Sequence, residues 1–519
     1  MSKLHHGALG LILCAGLLLH LLPYLLTGEP FSTDVWPLIR ASERIASNSS
    51  LRIWDDRAFD GYSNRWPGVI LASATFSLVS GVGVELTYSF SLLVASLLSS
   101  SLMLGAFAKR ITGRDGLAEA LPAVWLFYPS VAVFASSLLK EVYAYPFLFA
   151  LLLLTTRGSR RDVLVATVLI GALVLSHHLA SIMAFSLFLS LAAVCTGLKA
   201  IGYYRKPCPI RPVRSIVLGL LTGGFFLLYY TAYGGAGLRL RLGFADAAML
   251  ALYACYLTLG VVVYLRFSRV GYVEGLVGVL VLLLLLFSSR TPAVVGLSVN
   301  YGELLPYVAP AFAPFLFLVS RKLPRRELLA AVYALSLPPS VFSLYVLFAK
   351  PELASVLHRF LNYFSLPAGL LACVLSSAGR RVIRVSVALS LLLLALSAFS
   401  LVTLSSFGDG PAFYWRYSEA EVESLKGVLG LVKGGVLGGD DKVSYFCTSV
   451  LRVDTGSVLA YSYAGRALPT GVPSVVLRDY FSKGYVSGLS VYPVEPFLSS
   501  LPRFSRLFDS DEVFVVAGG

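Results

Sequence analysis

The chain has 519 residues, enough for several soluble domains, yet it is 57% hydrophobic and only 13% charged, with a mean hydropathy of +0.78. Those proportions exclude an ordinary soluble enzyme and point to a polytopic membrane protein. The net charge of +14 does not indicate a nucleic-acid binder, because the basic residues fall in short clusters between apolar runs, as positive-inside topology requires.

The first run, within MSKLHHGALGLILCAGLLLHLLPYLL, has a basic start and no small-residue cleavage site. It is expected to stay as a first helix over 7–27. Further helices are expected near 86–107, 117–137, 142–156, 162–177, 179–197, 215–232, 246–265, 271–288, 304–319, 328–348, 364–379 and 385–403. That makes about 13 transmembrane helices in a domain spanning 1–403. Basic clusters alternate with them: Lys3, AKRITGR (108–114), RGSRR (157–161), KAIGYYRKPCPIRPVR (199–214), RFSR (266–269), RKLPRR (321–326) and GRRVIR (379–384). The bias places those loops and the N-terminus in the cytoplasm, with the protein in the cell membrane. The loop 28–85 and everything after 403 are then external.

Parity settles one ambiguous run, PGVILASATFSLVSGV at 67–82. As a span it would reverse every later loop, so it is read as a surface helix within the external loop. Residues 404–519 are richer in Gly, Asp, Ser and Tyr, and their apolar runs shorten to strand length in KVSYFCTSV, SVVLRDYF and EVFVVAGG. They are expected to form a small external α/β domain.

Ionisable residues at the ends of spans are costly to place there and so become candidates for function. On the expected external side, FSTDVWPLIRASERI (31–45) carries Asp34, and Arg65 precedes the surface helix. Lys140 and Glu141 stand in SSLLKEVYAYP, and His177 and His178 in LSHHLAS. Asn300, Tyr301 and Glu303 lie in a later turn, followed by His358, Arg359 and Asn362 in HRFLNYFSLP. A carboxylate can serve as general base to a bound hydroxyl, and Lys or Arg can hold a phosphate. Each has a plainer reading beside it. Lys140 and Glu141 can simply pair, the histidines can cap helices, Arg359 can reach for headgroups, and Asp55, Asp56 and Asp60 are read as solvated. NSS at 48–50 fits an N-glycosylation sequon. The six cysteines show no CxxC spacing, so neither a disulfide framework nor a zinc site is expected. Glutamine is absent, a composition that leans toward thermophiles.

The order of these features resembles the GT-C superfamily of polytopic glycosyltransferases, which includes oligosaccharyltransferase catalytic subunits, protein mannosyltransferases and archaeal relatives. The resemblance rests on TDVWPLIR after the first span, NRWPGVILASATFSLVSG as the surface helix, LLKEVYAYP after the third span, and HRFLNYFSLP before one of the last. It covers the membrane region well and the tail loosely. The WWDYG motif of oligosaccharyltransferases is missing, FYWRYS (413–418) is no substitute, and KE replaces a D-x-D or D-x-E pair. The resemblance therefore extends to the superfamily and not to the oligosaccharyltransferase activity. It implies an inverting transfer of a sugar from a polyprenyl-phosphate (dolichol-type) donor to a protein, lipid or glycan acceptor outside the membrane. Asp34 would be the base; Arg65, Lys140 or Arg359 would stabilise the departing phosphate. Glu141 would orient the acceptor or hold a divalent cation, Mg2+ or Mn2+; His177, His178, Asn300, Tyr301, Glu303 and Asn362 are further candidates for an acceptor or metal site. The rival readings are a secondary transporter, whose ionisable groups would sit midway through the bundle, and a non-catalytic membrane scaffold. No matching internal halves are visible in the sequence.

Overall fold

The computed structural model describes residues 2–48, 50–56, 58–113, 119–159, 161–237, 243–267, 325–350, 356–376, 380–406, 417–428, 437–447, 455–456, 472–477, 485–487, 490–492, 504–510 and 513–518. The expected spans at 271–288 and 304–319, and the candidates Asn300, Tyr301 and Glu303, lie outside the described residues.

Helices dominate, because runs apolar on every side can satisfy their backbone only internally when surrounded by lipid or by other helices. Among the described residues, five are long and apolar enough to cross a membrane: Gly7–Thr27 (the apolar part of Ser2–Thr27), Val84–Thr112, His178–Ala200, Pro212–Ala232 and Arg326–Leu344. Gly68–Ser80, Phe244–Leu259 and Ser390–Val402 are apolar but shorter. The helices Lys140–Leu154 and Arg161–Ser176 have 15 and 16 residues. Each of these ten coincides with an apolar run read from the sequence, 67–82 among them.

One place differs from the expected helices, and at another a short helix is added before an expected one. The run 117–137 is two seven-residue helices, Ala120–Leu126 and Pro129–Ala135. Pro129 supplies the break: its ring disfavours the α conformation at Tyr128, which is extended. The run expected at 364–379 is a helix over Ser365–Ser376 preceded by the separate short helix Leu357–Tyr363.

The helices pack as neighbours in sequence and also across it. His178–Ala200 lies against Pro212–Ala232 and Arg326–Leu344; Lys140–Leu154 lies against Leu93–Thr112 and Arg161–Ser176. Ser2–Thr27 meets Arg380–Ser406, bringing the first and last apolar helices together. Thirteen-residue Gly68–Ser80 rests on Trp36–Ser47, and at 1.5 Å per residue it measures about 20 Å, short of the roughly 30 Å hydrocarbon core. Large side chains fill the interior, including Trp66, Trp125, Tyr128 and Phe149.

The C-terminal residues form a mixed sheet in the order β2-β1-β3-β7-β6, with β1 Leu437–Gly438, β2 Thr455–Gly456, β3 Ser474–Leu477, β6 Phe504–Asp509 and β7 Val513–Gly518. A separate hairpin pairs β4 Tyr485–Ser487 with β5 Ser490–Tyr492. SVVL and VFVVAG are strands, facing each other as Val475 to Val515 and Leu477 to Val513. KVSYF is not one. Asp440 accepts the backbone N–H of Val443 and caps a short helix, Asp441–Phe446, so side-chain capping overrides the β-branched pattern. Among these C-terminal residues Lys442 donates to both oxygens of Glu421 at 3.0 and 3.1 Å, with both side chains buried.

Candidate functional site

Asp34, Lys140, Glu141, His177 and Arg359 lie where several helices begin or stop. Asp34 sits in a single 3-10 turn, Thr33–Val35, between the first helix and Trp36–Ser47. Ser32 starts that turn with φ 81° and ψ 130°, a conformation that L residues rarely adopt and that costs about 1–3 kcal/mol. Its hydroxyl accepts the Asp34 N–H at 3.3 Å. Trp36, two residues on, is buried, with Tyr417 and Phe446 of the C-terminal domain edge-on at 5.8 and 5.4 Å. The turn carrying Asp34 is thus clamped from both sides.

Lys140 and Glu141 open the helix Lys140–Leu154, and His177 caps the helix His178–Ala200 by accepting the Ala180 N–H at its Nδ1, 3.3 Å away. Arg359 and Asn362 belong to Leu357–Tyr363. These elements are distant in sequence and close one pocket of about 250 Å³, lined by Asp34, Asp60, Tyr62, Lys140, Glu141, His177 and Arg359 among others. The pocket therefore gathers three acids, two cations and a histidine.

Glu141 is buried and held by aromatic hydroxyls. Tyr363 donates to its Oε1 at 2.8 Å and Tyr145 at 3.4 Å, while Asn362 donates to the Tyr145 hydroxyl at 3.4 Å. Its other oxygen, Oε2, has no hydrogen-bond partner among the described residues and lies 3.8 Å from His177 Nδ1, which already accepts from Ala180. Among the described residues Lys140 Nζ is buried without a hydrogen bond, 3.9 Å from the Tyr62 ring centroid and 5.9 Å from that of Trp66. Arg359 Nε is likewise unpaired, its guanidinium 5.6 Å from the Phe134 ring. Lys140 and Glu141 do not pair with each other among the described residues. Glu141, Lys140 and Arg359 thus each present a buried polar atom without a described protein partner, and all three side chains line this one cavity.

Burial pushes the Asp34 carboxyl above its ordinary range, with the charges of Arg359 and Lys140 opposing that rise. It is thus a better proton acceptor than a fully wet aspartate while remaining in the field of two cations.

The structure also relocates several residues. Arg65 is not part of the pocket lining: it pairs with Asp56, donates to the Tyr233 carbonyl at 3.0 Å, and lies 4.3 Å from that ring. It ties the first loop to the end of Pro212–Ala232, and its expected role on phosphate is not favoured. Asp56 is exposed, as expected of a solvated loop residue, and is also paired: Asn64 and then Arg65 hold its carboxyl below the usual range. Asp60 caps the turn Ser63–Arg65 by accepting from the Tyr62 and Ser63 N–H groups, at 2.9 and 2.5 Å, and lines the pocket. His178 stands one step back, 4.6 Å from His177 and 4.8 Å from Trp66 between ring centroids. Asn362 supports Tyr145 and does not line the pocket.

Tyr62, Tyr145 and Tyr363 were not read from the sequence, where tyrosines at span ends look like ordinary interface anchors. Two signals were available: Tyr363 follows Asn362 within HRFLNYFSLP, and Tyr145 stands four residues, one helical turn, after Glu141 within LLKEVYAYP. Among the described residues no group of three His, Cys, Asp or Glu that could hold a metal ion is found, and Arg359 places positive charge near Glu141. Compared with known protein families and with curated proteins, the chain matches none.

Proposed function

We propose that this protein is an inverting glycosyltransferase of the membrane that moves a sugar from a polyprenyl-phosphate donor to an acceptor hydroxyl, within the GT-C group that its motif order resembles. The observation that carries the reading is the shared pocket: Asp34, a carboxylate with a raised pKa, lines the same cavity as two cations whose Lys140 Nζ and Arg359 Nε have no hydrogen-bond partner among the described residues. Group transfer from a phosphate needs that pairing, a base on one side and preorganised positive charge on the other.

In the proposed reaction the Asp34 carboxylate takes the proton of the acceptor hydroxyl as its oxygen attacks the anomeric carbon. The bond from that carbon to the phosphate oxygen breaks, and the polyprenyl phosphate leaves with the added negative charge. Lys140 and Arg359 meet that charge; Arg359 suits it through its planar fork and Lys140 as a point charge. Glu141, with Oε1 fixed by two tyrosines, keeps Oε2 available to a sugar or acceptor hydroxyl. No step calls for a metal. A pocket confined to helix ends, and not halfway along the bundle, counts against a transporter's binding site.

The test is incubation of purified protein with polyprenyl mono- and diphosphate sugars, following donor loss and product by mass. Transfer is expected, and Asp34→Asn should slow it about 10²–10⁴-fold, the usual worth of a general base. Full transfer by a folded Asp34→Asn protein, or no consumption of any donor, would overturn the assignment.

A further inference from the structure

Away from that pocket, two thiols 13 residues apart in sequence lie together. Cys208 Sγ is 3.8 Å from Cys195 Sγ, in van der Waals contact, and 3.7 Å from the Glu327 carbonyl at the start of Arg326–Leu344. Cys195 is fully buried near the C-terminal end of His178–Ala200, whereas Cys208 is half-buried in the loop 201–211 that leads to Pro212–Ala232.

The loop is built to keep them there. Tyr204 is buried and its hydroxyl donates to the Cys195 carbonyl at 2.6 Å. Ile210 is buried, and the Arg211 N–H donates to the Thr155 carbonyl at 3.0 Å. Prolines flank the half-buried thiol in KPCPI; Pro207 has its own φ fixed, and Pro209 confines Cys208 to extended conformations. Such a segment loses little further freedom when its thiol is joined to a neighbour.

We propose that Cys195 and Cys208 are a reversible disulfide site that fastens the 201–211 loop to the helix His178–Ala200. The oxidant is a small-molecule disulfide of the glutathione class. The Cys208 thiolate attacks one sulfur of that disulfide, forming a mixed disulfide and releasing one glutathione thiolate, which takes up the proton. Cys195 then loses its proton and attacks Cys208 Sγ; the protein S–S bond forms as the second glutathione leaves and is protonated. Two protein thiols are oxidised and one disulfide is reduced to two thiols, so the step balances. Cys208 is the accessible partner and attacks first; its contact with the Cys195 thiol holds its own thiol below the usual range, which enlarges the thiolate fraction that reacts. The loop belongs to a basic cluster expected on the cytoplasmic side, where a disulfide serves as a redox-responsive bond and not as a permanent staple.

The test treats the full-length protein in detergent with glutathione disulfide, then unfolds it and counts thiols by alkylation and mass. The reduced protein has six cysteines; oxidation is expected to leave about four reactive thiols, restored to six by dithiothreitol. Trypsin cutting after Lys199 and Arg205 separates the two cysteines, so a linked peptide pair reports the bond directly. Cys195→Ser is expected to halt at one glutathione held on Cys208, and Cys208→Ser to keep its remaining thiols reactive. Six reactive thiols in the treated protein, a bond involving another cysteine, or a wild-type reaction that stops at the Cys208 adduct would each overturn the proposal. None of these readouts depends on sugar transfer.

Discussion

Asp34 acts as a base only when charged, and its raised pKa sets where that fails. As the pH falls the carboxylate takes a proton earlier than an ordinary aspartate would, so transfer should be lost on the acid side at a higher pH than for a wet carboxylate. The positive charge of Lys140 opposes that rise. Lys140→Met should therefore move the acid limb of the rate profile to still higher pH, while also raising the barrier to phosphate departure. Measuring the profile separates the two effects, because loss of phosphate contact lowers the plateau without shifting the limb. A limb unmoved in Lys140→Met would mean that the two side chains do not share a field. Arg359 should tolerate Lys poorly, since an ammonium lacks the guanidinium's fork; a tenfold or greater loss in kcat/KM, about 1.4 kcal/mol, is expected for Arg359→Lys.

The elements that hold the pocket have their own weak points. Gly68 begins the helix Gly68–Ser80, and a methyl group there would meet Ser176 at 2.6 Å from its hydroxyl and 3.0 Å from its Cα. Ser176 precedes His177, so Gly68→Ala should push the His177 cap away from Glu141 as well as overpack the contact. We expect a loss of about 1–3 kcal/mol in thermal unfolding, together with reduced activity. In the C-terminal domain, Lys442→Ala would strand the buried Glu421 carboxylate and should cost about 3–5 kcal/mol, whereas replacing both partners with apolar residues should cost much less. Proteolytic susceptibility of that domain in the two variants checks the difference.

At the scale of the whole molecule, Tyr417 and Phe446 of the C-terminal residues pack on Trp36, beside the turn that carries Asp34. Beside the Trp36 contact, Glu29, Glu43 and Glu85 share a cavity of about 180 Å³ with Lys426 and Arg40. Burial, then the charge of Glu85, pushes the Glu29 carboxyl up to about 7, with Glu419 and Glu423 adding and Lys426 opposing. A raised acid pKa means that the folded chain keeps a proton that the unfolded chain has released. Stability from this group is therefore fullest below about 4.5 and declines as the pH rises through about 7. Glu29→Gln should flatten that decline, read as Tm against pH; an unchanged slope would show that the junction does not titrate there.

How much of this was legible beforehand differs by kind of feature. Apolar runs announce helices because lipid leaves the backbone no other way to pair its polar groups, and the run 67–82, Lys140–Glu141 and His177 were all visible as polar breaks at the ends of such runs. The charge run around Asp34 was visible too, but not the strained Ser32 that aims it. KVSYF read as a strand and folds as a helix because a cap at Asp440, a local hydrogen bond, outweighs a five-residue pattern. Arg65 and Asp56 looked like separate loop charges and bind each other; Cys195 and Cys208 had no telling spacing and are in contact. The sequence by itself determined the helical character and the residues worth asking about, since hydrophobic length and charge are properties of a segment alone. Which of those residues share a cavity, and which neutralise each other elsewhere, was decided only by tertiary packing, because a side chain's partner across a hundred residues is set by how helices cross and not by anything written beside it.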